Sequence, residues 1–600
     1  MKNFSFFTFH FFKHIMSVKT ETKKSKGGGS FLTRSATADE IFTREDLSPA
    51  QVMFGQIAED FMNAEVVPND ERIHAKDWKL TRELLLKAGE LDLLRVDIPE
   101  AFDGLGLDKV SSAYVGEKIG IMPSFAGSLG AHTTIGTLPI VYFGTDAQKA
   151  KYLPKLASGE WIAAFCLTEP ESGSDALAAR TKAVLSDDGK FYVLNGQKMW
   201  ITNGGFADVF TIFAKVDGEK FTAFIVEREM GVVSGREEPK LGLDGSSTTA
   251  LILENVRVPV ENVLGKIGEG HKVAFNILNI GRVKLGTRNI GSAKQSLNRA
   301  MQYAVERRQF GKSISDFGMI KQKIGEMAIR CFVGDAMVFR TLGDVDDALE
   351  AVDKSDAAQT LRTIENFAVE CSINKVWSSE TLAFVVDEAL QIYGGYGYSK
   401  EYPAERAYRD ARITRLYEGT NEINRLIIPT RLLKNQVTAH LFAGENAQNL
   451  LENNRTVSEN RTFSAERDLL SRAKKLLVFL LNRAKSTYAD KLSNEQEILG
   501  HIADMTIEIY AVESAILRAE KLSTKNNEAK NAIAADMTRS YASDAADRIE
   551  HSAKQVAAAL SESEDVFERV QKLTGFKTYN TVAARRRIAD SVIEAGRYYF

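Results

Sequence analysis

Val209-Phe210-Thr211-Ile212-Phe213-Ala214 and Phe221-Thr222-Ala223-Phe224-Ile225-Val226 are two short runs of β-branched and aromatic residues, with the turn Asp217-Gly218 between them. Phe191-Tyr192-Val193-Leu194 and Leu251-Ile252-Leu253 repeat that texture, and Asp187-Asp188-Gly189 and Asn203-Gly204-Gly205 punctuate it. Residues 161–270 therefore read as a middle antiparallel β domain. Both flanks read differently. Ser48 before Pro49 is a helix N-cap with proline at the first helical position. Leu84, Leu85, Leu86, Leu91 and Leu94 follow with helical spacing, so residues 45–160 form an N-terminal α-helical domain. Residues 271–435 return to long helices as an α-helical bundle. The fold class is thus α+β multidomain, because strands and helices are segregated rather than alternating.

Beyond the bundle, residues 436–460 read as a polar linker and 461–600 as an extra C-terminal α-helical domain. Leu469, Leu470, Ala473, Leu476, Leu477 and Leu480 form one apolar stripe. Ile498, Ile502, Met505, Ile507, Ala511 and Ile516 form another. Such stripes need a covering surface, so this domain is expected to cap or pair subunits. Residues 1–44 read as a flexible arm, from the run Lys23-Lys24-Ser25-Lys26-Gly27-Gly28-Gly29-Ser30. Residues 1–15 carry neither a secretory cleavage site nor the arginines of a transit peptide, and Met16 is the expected start.

The chain has 600 residues, 44% hydrophobic and 26% charged, with a net charge of −3. That balance gives no reason to expect nucleic acid. Cys166, Cys331 and Cys371 are scattered and odd in number. They fit buried free thiols in a reducing compartment and no zinc site. No metal is expected. No apolar run reaches the roughly 20 residues of a spanning helix.

The chemistry-bearing motifs come in a fixed order. Thr168-Glu169-Pro170-Glu171-Ser172-Gly173-Ser174-Asp175 follows the apolar strand Ile162-Ala163-Ala164-Phe165-Cys166-Leu167. Alone, it reads as an ordinary strand–loop whose free amides and hydroxyls could meet a phosphate or a ring edge. Asn195-Gly196-Gln197-Lys198-Met199-Trp200-Ile201-Thr202-Asn203 comes next. Arg307-Arg308-Gln309-Phe310-Gly311 closes a helix, with Gly311 as its C′ residue. Gln391-Ile392-Tyr393-Gly394-Gly395 ends another helix on a glycine turn. The last motif is Leu416-Tyr417-Glu418-Gly419-Thr420-Asn421-Glu422-Ile423. An ordinary glutamate is a poor base near neutral pH, and an apolar wall would raise its pKa and favour proton capture.

Together these motifs resemble the acyl-CoA dehydrogenases, most closely over about residues 45–433. The resemblance implies FAD as cofactor and Glu418 as the catalytic base. It implies that Thr168, Trp200 and Thr202 meet the flavin, with Phe165 where relatives often carry tyrosine. Ser174 matches a position shared by flavin and the phosphate end of the thioester substrate. Arg307 is placed on the FAD pyrophosphate, and Phe310 against the adenine end across a subunit interface. Gln391, Gly394, Gly395, Thr420 and Glu422 are further cofactor positions. Glu422 stands where many relatives carry glutamine. Arg282, Tyr417 and Gly419 are implied on the substrate side.

Pro123-Ser124-Phe125-Ala126-Gly127-Ser128-Leu129-Gly130-Ala131-His132-Thr133 resembles the very-long-chain branch. Gly127 and Gly130 share one helical face, where they either open an acyl tunnel or allow close helix packing. The resemblance implies α,β-dehydrogenation of a long-chain acyl-CoA in fatty acid β-oxidation, with electrons passed to electron-transfer flavoprotein. It also implies a cytoplasmic homodimer in a bacterial cell. Membrane contact is at most weak and peripheral, because residues 444–460 lack a basic amphipathic face. The alternatives are an acyl-CoA oxidase and a non-catalytic assembly protein on the same fold.

Overall fold

The Ser48 hydroxyl accepts the Gln51 amide at 3.2 Å, and the Gln51 side chain accepts the Ser48 amide at 2.9 Å. This reciprocal cap opens α1 (Pro49–Phe61) where the sequence places it. The computed structural model describes residues 26–353, 357–435, 438–442, 462–561, 567–568, 570–572, 575 and 579–600. Six further helices complete the N-terminal layer: α2 (Asp70–His74), α3 (Trp78–Glu90), α4 (Lys109–Ile119), α5 (Pro123–Gly130), α6 (Leu138–Phe143) and α7 (Asp146–Ser158). Leu80, Leu84, Leu85, Ile119, Phe125 and Leu129 join in one buried cluster beneath it.

Eight strands follow: β1 (Ala163–Cys166), β2 (Lys182–Leu185), β3 (Phe191–Thr202), β4 (Val209–Val216), β5 (Lys220–Glu227), β6 (Val233–Glu237), β7 (Thr248–Pro259) and β8 (Val263–Leu264). Their order is β6-β7-β3-β2-β4-β5-β8, with β1 beside β4. The expected antiparallel pairing covers β2–β3, β3–β7, β4–β5, β5–β8 and β6–β7. β1 and β2 instead run parallel to β4. The 167–181 loop returns the chain between β1 and β2, and β3 intervenes before β4, so neither strand reaches β4 by a hairpin and the parallel direction is open to both.

The bundle comprises α8 (Gly270–Glu306), α9 (Gly318–Glu350), α10 (Ala357–Asn366), α11 (Ala368–Tyr393), α12 (Pro403–Ala411) and α13 (Asn421–Lys434). α14 (Ser464–Tyr488), α15 (Gln496–Ser523), α16 (Glu528–Ala559) and α17 (Thr581–Glu594) form the C-terminal region. Both predicted stripes are buried, in the same core as Ile324, Met327 and Phe332 of α9. Their covering surface is therefore the chain's own bundle. Arg518 fastens the contact. It is fully buried, donates to the Phe332 carbonyl at 2.9 Å and pairs with Glu45 at 2.7 Å.

One expectation is overturned. Residues 26–44 are packed, not a flexible arm. The Gly28 and Gly29 amides donate to the buried Glu370 carboxylate at 3.3 and 2.7 Å, and Phe31 and Leu32 enter the core. Glycine permits this because its backbone can press against α11 and α13 in the left-handed region. Residues 1–25, with the expected start at Met16, and the linker segment 443–461 lie outside the described residues. Among the described residues, no helix is long and apolar enough to cross a membrane, and no side-chain cluster could hold a metal ion. The three cysteines are free and buried.

Candidate active site

Glu418 sits in the left-handed region, at φ 55°, on the turn between the short helical turn Arg412–Arg415 and α13. A non-glycine residue there is strained, so the turn must be held. Three side chains hold its carbonyls. Arg282 Nε of α8 donates to the Glu418 carbonyl at 3.1 Å. Lys375 Nζ of α11 donates to the Gly419 carbonyl at 2.7 Å and to Asn421 Oδ1 at 2.7 Å. Asn424 Nδ2 donates to the Gly419 and Thr420 carbonyls at 2.9 and 3.0 Å. Thr420 caps α13 by accepting the Ile423 amide at 3.3 Å, and Glu422 lies exposed in the first turn.

The Glu418 carboxylate lies against Gly281 of α8. A Cβ added there would stand 2.8 Å from Oε2. Oε2 is itself buried with no hydrogen-bond partner. Burial pushes the Glu418 carboxyl above its usual range, opposed by the charges of Arg288, Arg282 and Lys375. Burial also pushes Lys375 down to about 7, opposed by Glu418 and aggravated by Arg282. Arg282 is buried and also donates to Asn279 at 2.9 Å, which fixes its fork beside the turn. Lys375 and Gly281 were given no role by the sequence, and Asn424 only continues the run after Glu418. Only their contacts across the bundle reveal them.

Tyr417, 38% exposed, lines a cavity of about 130 Å³ with Met122, Ala126, Gly127 and Leu285. A Cβ on Gly127 would meet Ser246 Oγ at 3.4 Å, and Gly127 lines this space. Gly130 does not. It lines a second cavity of about 30 Å³, and Arg288 Nη1 stands 1.7 Å from where its Cβ would be. The room that Gly130 leaves holds a guanidinium rather than open tunnel.

At the sheet, the Met199 amide donates to the Thr168 carbonyl at 2.9 Å, so the two middle motifs lie side by side. A buried ion pair locks them: Lys198 Nζ meets Glu169 Oε1 at 2.6 Å, and Glu169 also accepts the Thr181 hydroxyl at 2.6 Å. A register shift between Lys198 and Ile201, with Trp200 at φ 56°, turns the indole outward to 61% exposure. Thr168 and Thr202 are half-buried beside it, and Ser174 is exposed on the loop. Phe165 lies in β1, just before that loop. Its ring is 9% exposed and edge-on to Phe213 at 5.1 Å, because an apolar ring without a hydroxyl gains most from the core.

The remaining predicted residues gather at one end of the bundle. α8 stops at Glu306, and Arg308–Gln309 pairs with Lys312–Ser313 as a hairpin. Phe310 and Gly311, at φ 52° and 79°, form its turn, so Gly311 is a hairpin residue and not a helix C′. Phe310 is 92% exposed. Arg307 lies 5.3 Å over the Tyr396 ring, and no carboxylate pairs with it among the described residues. Gln391, Gly394 and Gly395 are exposed next to Tyr396, and a Cβ on either glycine would meet nothing within 4 Å. An unpaired arginine, an open glycine turn and an exposed indole fit a flavin dinucleotide. Arg307 would hold its phosphates, and Thr168, Trp200 and Thr202 would border its ring. Among the described residues, no hydrogen bond or ion pair joins the Arg307 cluster to the sheet cluster.

Comparison with known proteins adds four family matches. Residues 48–160 match the acyl-CoA dehydrogenase N-terminal domain, 164–256 the middle domain, and 268–433 and 472–573 two acyl-CoA dehydrogenase C-terminal domains. The chain is 45% identical over 582 residues to a probable acyl-CoA dehydrogenase of Bacillus subtilis (strain 168), covering 95% of this chain and 98% of that one. It is 37% identical over 513 residues to the mitochondrial very long-chain specific acyl-CoA dehydrogenase of Homo sapiens, covering 80% and 74%. An acyl-CoA dehydrogenase from Bacillus anthracis, solved in complex with FAD, superposes with a TM-score of 0.91 at 43% identity, covering 96% of this chain and 100% of that one.

Proposed function

Because the chain belongs to the acyl-CoA dehydrogenase family of FAD-dependent oxidoreductases, we propose that its substrate is a long-chain acyl-CoA thioester, converted to the trans-2-enoyl product. The observation that carries this reading is the Glu418 carboxylate. The residue is half-buried, its Oε2 is fully buried without a hydrogen-bond partner, and its pKa is raised by desolvation. Such a carboxylate can take the α-proton of a thioester at neutral pH. FAD, when bound, supplies the acceptor for the β-hydride.

The chain's own residues do the rest. Arg282, Lys375 and Asn424 occupy the carbonyls of residues 418–420 and fix the base's backbone. The Glu418 amide, which makes no hydrogen bond among the described residues, would polarise the thioester carbonyl as negative charge develops. Tyr417, Met122, Ala126, Gly127 and Leu285 supply the apolar part of the cavity beside the base turn, whose wall also carries Arg288, Asn289, Gln295 and Arg299. The apolar wall and Gly127 support a long acyl chain. Electrons leave to electron-transfer flavoprotein. The working particle is a cytoplasmic homodimer, which the exposed Phe310 and unpaired Arg307 support as an incomplete site awaiting a second copy.

Anaerobic titration of the yellow holoenzyme with palmitoyl-CoA tests this reading. Flavin bleaching with formation of the trans-2-enoyl thioester is expected. Reoxidation should be fast with electron-transfer flavoprotein and slow in air. Stoichiometric peroxide on admitting air would make the protein an oxidase. Absence of bleaching by any acyl-CoA would leave only an assembly role.

A further inference from the structure

We infer that the cavity beside the base turn takes an acyl chain that ends in a carboxylate, received by Arg299 of α8. The assignment rests on the dehydrogenase reading above and narrows its substrate class to ω-carboxyacyl-CoA thioesters. The walls of this cavity differ in chemistry. Met122, Ala126 and Val386 are apolar. α8 instead lines the space with Arg288, Asn289, Ser292, Gln295, Ser296 and Arg299. These recur at helical spacing, so one face of α8 turns polar groups toward the space. A tail made only of methylenes would dehydrate that face and give it no partner.

Most of these groups are satisfied within the protein. Ser292 donates to the Gly120 carbonyl at 2.7 Å, Ser296 to the Ser292 carbonyl at 3.0 Å, and Asn289 to Ser378 at 3.2 Å. Arg288 donates to the Ala126 carbonyl at 3.1 Å and acts on the Glu418 carboxylate. Arg299 differs. Among the described residues its guanidinium makes no hydrogen bond and no ion pair. Burial pushes its pKa down, opposed by Tyr393 and Asp70. Asp70 is already engaged by His74 at 2.8 Å and by Arg406 at 2.6 Å. Asp410, also in the wall, accepts the Leu243 amide at 2.5 Å. Structural arginines of this chain are anchored otherwise: Arg518 by Glu45 and Arg340 by Glu513. A carboxylate carried in by the ligand would give Arg299 the counter-ion that the chain withholds, through charge-assisted hydrogen bonds. The position suits the far end of a long chain. The Glu418 carboxylate lies against Gly281, and Arg299 stands about 27 Å further along α8 at about 1.5 Å per residue. Its side chain leans back over the turn that holds Gln295 and Ser296. An anion there strengthens binding without touching the carbons that react.

The test compares the mono-CoA thioester of hexadecanedioic acid with palmitoyl-CoA and ω-hydroxypalmitoyl-CoA. Each is given to the FAD-loaded wild type and to Arg299→Gln and Arg299→Lys. In the wild type, kcat/KM should be about tenfold or more higher for the diacid thioester than for palmitoyl-CoA, the factor expected of a hydrogen bond between charged groups. Palmitoyl-CoA still reacts, but it leaves the guanidinium unpaired. The gain should lie in KM rather than kcat, because the anion is remote from the base. Arg299→Gln should bring the ratio close to one, and Arg299→Lys should keep most of it. A wild type that uses palmitoyl-CoA as well as or better than the diacid thioester would overturn the assignment and leave the dehydrogenase reading intact, and that comparison needs no variant to fold. An equal gain from the ω-hydroxy chain would also overturn it. So would an Arg299→Gln protein that keeps the wild-type ratio, and if that protein also lost FAD affinity the residue would belong to the cofactor. No bleaching of the wild type by any of the three would remove the dehydrogenase reading and this assignment together.

Discussion

At the scale of single residues, Glu418 is a strained, half-buried residue whose carboxylate feels Arg288, Arg282 and Lys375. Burial raises its pKa, and Arg288, Arg282 and Lys375 offset only part of the rise. The base must be ionised to accept a proton. Its reduction step should therefore be lost as pH falls through a value above the ordinary glutamate pKa of about 4.3. Stopped-flow flavin reduction against pH measures this, and an acid limb at or below the ordinary value would contradict it. Gly281→Ala probes the geometry. The new Cβ would stand 2.8 Å from Oε2, so the carboxylate has to move. FAD content should stay at the wild-type level while flavin reduction slows by about a hundredfold. A wild-type rate would mean that Gly281 does not place the base. The sequence showed Glu418 because its neighbours form a motif. It hid Gly281, Lys375 and Asn424, which reach the turn only through packing of α8, α11 and α13.

At the scale of elements, the buried Glu169–Lys198 pair joins the loop after β1 to β3 and so sets Thr168 beside Trp200 and Thr202. Lys198→Met would leave the Glu169 carboxylate buried without its cation. A cost of about 3–5 kcal/mol is expected, seen as a lower Tm and as loss of FAD on dilution. Unchanged Tm and FAD retention would show the pair to be incidental. The strands were legible because β-branched runs and turn dipeptides mark them locally. The pairing of Glu169 with Lys198 was not, because it depends on which strands are neighbours. The same limit explains Arg307–Gly311. Positive φ at both Phe310 and Gly311 makes a hairpin turn, but the final glycine after a charged helix reads equally as a C′ residue. The glycine run at Gly27–Gly29 reads as flexible until Glu370 of α11 is known to accept its amides.

At the scale of the whole molecule, α14–α17 bury their stripes on α9 of the same chain, so this region completes the protomer's core. We propose the Arg307 end of the bundle, where Phe310 is 92% exposed, as the face for a second copy. Sedimentation of the FAD-loaded protein should give a dimer, and a tetramer would contradict that expectation. Arg307→Ala should purify partly as apoprotein, and wild-type FAD affinity would misplace this residue. The central claim requires the sheet, the bundle and the base turn to act together on one substrate. Its most direct test is anaerobic mixing of palmitoyl-CoA with wild type and Glu418→Gln, both saturated with FAD. The account predicts rapid bleaching of the wild type. The variant should stay yellow while still binding palmitoyl-CoA, because an amide keeps the shape but cannot take the α-proton. Near-wild-type bleaching of Glu418→Gln would contradict the account.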